Sequence, residues 1–112
     1  MNYSVKTTSN FEKEAKVLSK RHRSLKKDLG DFIDSLEENP FQGDELAPGI
    51  RKIRMAISSK GRGKSGGARV ITYTVILTEN CGKVYLMSIY DKSDFSTIDI
   101  EIIKRMIEEL GL

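Results

Sequence analysis

The spacing of apolar residues changes once along this chain, and the change limits what it can become. Before the change, Leu25, Leu29, Phe32, Ile33 and Leu36 recur at i, i+4, i+7, i+8 and i+11, which predicts a helix with one buried face. Asn39-Pro40 ends that pattern, because the residue before a proline avoids the α region. Residues 40–49 hold two prolines and two glycines and are predicted to form a loop. After the loop the period becomes 2. Over Ile50 to Ile57, Ile53, Met55 and Ile57 point one way, while Lys52, Arg54 and Ala56 point the other. That is a strand with one buried and one basic face. A chain that switches in this manner must pack helices on a sheet.

The remaining segments extend the pattern. Residues 2–7 read as a short strand. Ser9 begins a helix, with Ser9-x-x-Glu12 reading as a capping box and Phe11, Ala15 and Leu18 at helical spacing. The run Lys20-Arg21-His22-Arg23 interrupts it. Ala68 to Leu77 is rich in β-branched residues, Glu79 to Lys83 reads as a hairpin turn, and Val84 to Tyr90 reads as the next strand. Short connections make these last three strands antiparallel neighbours. A final helix is predicted over Thr97 to Leu110, with Ile98, Ile102, Ile103, Met106, Ile107 and Leu110 as its apolar stripe and Gly111 suited to its end. The expectation is a single α+β domain over residues 1–112 of order β-α-α-β-β-β-α. In it, an antiparallel sheet carries all its helices on one face and leaves the other face, with Lys52 and Arg54, free.

Charge is unevenly distributed. Leu46 to Thr78 contains Arg51, Lys52, Arg54, Lys60, Arg62, Lys64 and Arg69 and no acidic residue, within a chain of formal net charge +3. The remainder, with twelve basic and sixteen acidic residues, is net negative (19 − 7 against 16 − 0). A basic field on an acidic body is the footprint of a polyanion site. One cysteine, Cys81, excludes an internal disulfide framework, and one histidine, His22, leaves little for a zinc site or a histidine-based triad. His22 reads as a surface residue. No stretch reaches bilayer-spanning length, and residues 1–16 lack the apolar centre of a secretion signal. A cytoplasmic protein without a membrane partner is expected.

Gly61-Arg62-Gly63-Lys64-Ser65-Gly66 matches G-x-G-x-x-G. A dinucleotide site needs a helix after those glycines, because the helix N-terminus holds the pyrophosphate. Here Ala68-Arg69-Val70-Ile71-Thr72-Tyr73 follows, which is a strand. The phosphate-loop pattern fails as well, since Ser58 stands where its first glycine is required. What remains is a glycine-rich basic loop between strands. Its glycines permit positive φ and close backbone approach to a ligand, and Arg62 and Lys64 can reach phosphates from it.

These segments together resemble the RelE/ParE superfamily of toxins from bacterial toxin–antitoxin pairs, and most of all its HigB/RelE branch. The resemblance is carried by Ile50-Arg51-Lys52-Ile53-Arg54, by Gly61 to Gly67, by Arg69-Val70-Ile71-Thr72-Tyr73 and by Ile89-Tyr90-Asp91-Lys92-Ser93. It implies a RelE-like fold and a ribosome-dependent messenger RNA endonuclease. Such an enzyme uses a ribose 2′-OH to attack the adjacent phosphate, and a cognate antitoxin protein neutralises it. A ParE-like inhibitor of DNA gyrase, acting by protein binding, is the alternative within the same superfamily. Two features depart from the pattern. The segment after the last strand reads Asp91-Lys92-Ser93-Asp94 rather than carrying a further arginine, and residues 98–112 contain no tyrosine.

Cleavage of this kind needs a base for the 2′-OH, positive charge for the phosphorane and an acid for the leaving 5′ oxygen. It requires neither metal nor cofactor, and Asp91 and Asp94 are the nearest carboxylates in sequence to the patch. Clustered arginines disfavour the charged form of a neighbouring lysine and so favour proton transfer by it. Arginine stays charged and clamps phosphate with paired N–H bonds. The candidate catalytic set is therefore Lys52, Lys64 and Lys92 for base and acid, Arg54 and Arg69 for charge, and Tyr90 for stacking on a base or donating a proton. Arg51, Lys60 and Arg62 are the candidate RNA-binding residues.

Overall fold

A computed structural model describes residues 2–95 and 97–112. The elements in order are β1 (Asn2–Thr7), α1 (Ser9–Arg21), α2 (Leu25–Glu38), β2 (Asp44–Ala47), β3 (Ile50–Met55), a 3-10 turn (Ser58–Lys60), β4 (Ala68–Thr78), β5 (Cys81–Asp91) and α3 (Ile100–Leu110). The fold is α+β, with three helices on a five-stranded sheet of order β1-β5-β4-β3-β2.

Three expectations about the architecture are corrected. First, residues 44–47 form a strand inside the predicted loop, paired antiparallel with β3 in a register that brings Asp44 opposite Lys52. The turn that joins them is Pro48-Gly49, with Gly49 at φ +79, where a side chain would be strained. Second, the sheet is mixed. β1 lies parallel to β5, from Asn2 opposite Cys81 to Thr7 opposite Leu86, while the other pairs are antiparallel. Third, helices cover both faces. α1 and α2 lie over Tyr3, Ile53, Val70, Val84, Leu86 and Ile89, and α3 seats Ile103 and Ile107 against Ile50, Ile71 and Met87 on the opposite face. The cause is visible in β4. Val70 and Ile71 are adjacent, point to opposite faces and are both fully buried, as in a strand covered on both sides.

Local chemistry sets the helix ends. Thr8 caps α1, not Ser9: its hydroxyl oxygen accepts from Phe11 N at 3.2 Å and its O–H donates to Leu86 O at 2.8 Å. The cap thus also fastens the helix to β5. Glu12 accepts from Thr7 Oγ1 at 3.0 Å instead of closing a box with Ser9. α2 runs to Glu38, and Asn39 is extended before Pro40, as expected. β3 ends at Met55, two residues short of the prediction, because the chain bends toward the 3-10 turn while Ile57 stays buried. α3 begins at Ile100, capped by the Asp99 carboxylate on Glu101 N, three residues later than predicted.

Candidate nucleic-acid interface

Strand register brings together what the sequence separates. Arg54 on β3 pairs with Arg69 on β4, and Arg69 pairs with Tyr90 on β5, so three candidate residues form one rung across the sheet. Lys52 lies two residues along β3 from Arg54, opposite Ile71, on the same sheet face. Like charges directly opposite each other on adjacent strands destabilise a sheet, so the Arg54–Arg69 pair is tolerated rather than selected for stability.

Arg69 is 6% exposed. Its guanidinium donates to three backbone carbonyls, Lys64 O at 3.2 Å, Ser65 O at 3.1 Å and Ala68 O at 3.2 Å. It forms no ion pair among the described residues. A buried guanidinium with only carbonyl partners leaves a local positive charge without a counterion. The glycine loop wraps over it. Gly61 and Gly63 take φ of +68 and +63, and a Cβ at Gly67 would collide with Met55 O, so the loop returns directly against β3. Arg62 and Lys64 stand exposed on this loop. Lys92 is exposed at the end of β5, and its N–H donates to Gly67 O at 3.0 Å, which puts it beside the loop exit.

Other predicted residues are placed differently. Tyr90 is 4% exposed and its hydroxyl has no hydrogen-bond partner among the described residues. Burial raises its pKa, an effect the nearby Arg69 charge partly offsets. Its ring meets Phe95 edge-on, with centroids 6.0 Å apart. A base cannot stack on Tyr90 in this arrangement. Phe95, exposed and not among the expected site residues, is the ring of this pair that solvent reaches. Arg51, expected at the RNA face, is on the opposite face of β3. There it lies 5.5 Å over the Phe41 ring and donates to Phe41 O and Gln42 O at 3.3 Å.

Lys60 is also committed internally. Its ammonium donates to Asp91 Oδ1 at 2.7 Å and Ser93 Oγ at 3.1 Å. Asp91 is 1% exposed and gathers Lys60, the Ser93 N–H, His22 Nε2 at 2.8 Å and Arg21 at 3.4 Å. Burial pushes its carboxyl up, but the hydrogen bonds from Lys60, Ser93 and His22 outweigh this and hold it far below the usual carboxylate range. His22 is mostly buried and hydrogen-bonded to Asp91 rather than a free surface residue. The consequence is mechanical: Lys60 opens the glycine loop, and Asp91 pairs in register with Ala68, which closes it. Both ends of the loop are fastened at Asp91.

A cleft of about 310 Å³ lies between α2 and β3, with Arg54 and Lys64 on one side and Asp28 and Asp31 from α2 on the other. The long sequence separation of α2 from the basic segment hid this meeting. Among the described residues, no three or more His, Cys, Asp and Glu side chains assemble into a metal-holding group, and no helix is long and apolar enough to cross a membrane. No model of a known protein family matches the chain.

Proposed function

We propose that this protein is a metal-independent messenger RNA endonuclease that acts at the ribosome, the toxin of a type II toxin–antitoxin pair, with a RelE-like fold. One observation carries the reading: Arg69, buried and without a carboxylate partner, sits opposite a second arginine beneath a glycine-rich basic loop. Such a site has free positive potential where an RNA phosphate can enter, and a glycine backbone that allows close approach.

The reaction then follows from the residues. A lysine of the set Lys52, Lys64 and Lys92 takes the proton from the ribose 2′-OH. The 2′ oxygen attacks the adjacent phosphorus, and negative charge grows on the non-bridging oxygens. Arg69 and Arg54 lie where that charge develops, and donors placed for the transition state rather than the ground state accelerate the step. The bond to the 5′ oxygen breaks and a second proton donor protonates it, leaving a 2′,3′-cyclic phosphate and a free 5′-OH. Arg69 reaches a phosphate when Lys64 O and Ser65 O are exchanged for phosphate oxygens, so substrate binding and loop rearrangement are one event. The ribosome presents the message, no cofactor takes part, and the antitoxin lays acidic residues over the basic face.

Primer extension on a reporter message, in a translation reaction given the protein, tests the proposal. Discrete cuts that require ribosomes and disappear with Arg69→Met are the expected result. Intact messages accompanied by stalled DNA gyrase would instead favour the ParE-like alternative.

A further inference from the structure

The cleft between α2 and β3 is divided in charge, and the division points to a ligand with two unlike ends. Its volume, about 310 Å³, is at the lower end of the range for small-ligand sites. Arg54 and Lys64 supply cations on one side. On the other, Asp28 is saturated. It accepts from Ser24 Oγ at 2.7 Å and from the N–H and hydroxyl of Ser58, and these bonds hold its pKa below the ordinary value although burial opposes them. Ser35 Oγ donates to Phe32 O, and the Gln42 amide donates to Ser35 O and Asn39 O. Asp31 is different: it is exposed, and neither oxygen makes a hydrogen bond or an ion pair among the described residues. Phe32 and Met55, both buried, supply apolar lining.

We propose that this cleft takes one nucleobase of the RNA, adjoining the phosphate held by Arg54 and Arg69, and that Asp31 selects guanine there. The proposal rests on the RNA reading above. A carboxylate only accepts hydrogen bonds and repels phosphate, so Asp31 marks the base end of the cleft and the cations mark the phosphate end. Guanine alone presents two parallel donors, N1–H and the N2 amine, matched to both oxygens of one carboxylate. Adenine and cytosine set a ring-nitrogen acceptor beside their single amine, against the second carboxylate oxygen. Uracil flanks its N3–H with two carbonyls. Single-stranded RNA is read through this edge.

The test uses short 2′-O-methyl RNAs, which bind without being cut, carrying guanosine, inosine or adenosine at one central position. Their affinities are measured by fluorescence anisotropy for the full chain and for Asp31→Asn. Inosine lacks only the N2 amine. The expected result is a preference of about tenfold for guanosine over inosine, and at least as much over adenosine. In D31N guanosine and inosine converge to within about twofold and adenosine gains on both, since asparagine sets one donor beside one acceptor, the complement of adenine's amine and ring nitrogen. Equal binding of the three RNAs by the unaltered chain, or a preference that survives in D31N, would overturn the base site. If messages are still cut in a ribosome-dependent manner, it overturns that site alone. Failure to bind any of the RNAs would overturn the base site, and the RNA reading falls with it if messages also stay uncut on ribosomes.

Discussion

Replacing Arg69 by methionine separates a catalytic cation from a structural one. The side chain makes three hydrogen bonds to carbonyls, and a charged donor is ordinarily worth about 1.5–3 kcal/mol for each. Against this stands the desolvation of a guanidinium with no carboxylate partner, a penalty of several kcal/mol. Two of the three carbonyls, those of Lys64 and Ser65, belong to exposed residues and can take water when the arginine is gone. Arg54, opposite on β3, loses a like-charged neighbour. The opposing contributions nearly cancel, so Arg69→Met should change the unfolding free energy by no more than about 1 kcal/mol in either direction. Removing one donor to a developing oxyanion costs about 2.7–4 kcal/mol in the transition state, so cleavage should fall by about 10²–10³-fold. Urea unfolding gives the first number and single-turnover cleavage on programmed ribosomes gives the second. A variant that unfolds several kcal/mol more easily, or one that cuts at the original rate, would refute the account of Arg69 as an uncompensated charge kept for chemistry.

Four further outcomes are expected. Asp91→Asn leaves Lys60 without its buried partner and should cost about 3–5 kcal/mol, read from urea midpoints. Because the folded-state pKa of Asp91 is depressed, its contribution is present above the ordinary carboxylate pKa of about 4 and is lost as pH falls below it. The stability of the unaltered protein should therefore fall more steeply than that of D91N between about pH 4 and pH 2, and parallel curves would contradict the assignment. Thr8→Ala removes both the α1 cap and the bond to Leu86 O; a loss of about 1–2 kcal/mol is expected from thermal unfolding, and no change would mean that the cap is replaceable by water. If Arg62 and Lys64 contact single-stranded RNA phosphates, changing both to glutamine should lower the slope of log affinity against log salt by about 1.4. A slope that does not move would place the RNA elsewhere.

Elements with a strong period were legible in the sequence. The α2 stripe, the alternation in β3 and the β-branched run of β4 correspond to elements in the structure. β2 escaped because four residues, three of them exposed, carry no periodic signal, although Pro48-Gly49 marked the turn beside it. The position of α3 was also missed. An amphipathic stripe states that a helix buries one face but not which sheet face receives it; the adjacent buried pair Val70-Ile71 held that information. At the site, alternation along β3 placed Arg54 with Lys52 and away from Ile53, and register then joined Arg54 to Arg69. Charge counting had no means of separating Arg69 from Arg51 and Lys60, because the partners of the latter two, Phe41 and Asp91, come from distant segments. The cleft, built from α2 and β3, was invisible for the same reason.

The anchoring of residues 61–67 at a single residue, Asp91, through its carboxylate at the entry and its backbone at the exit, has a corollary for the length of the span. A segment whose entry and exit already meet pays little extra closure entropy when residues are inserted or removed, since that cost grows only with the logarithm of length. Residues 61–67 should therefore accept an added or removed residue at little cost in stability while the strand termini beneath keep their positions.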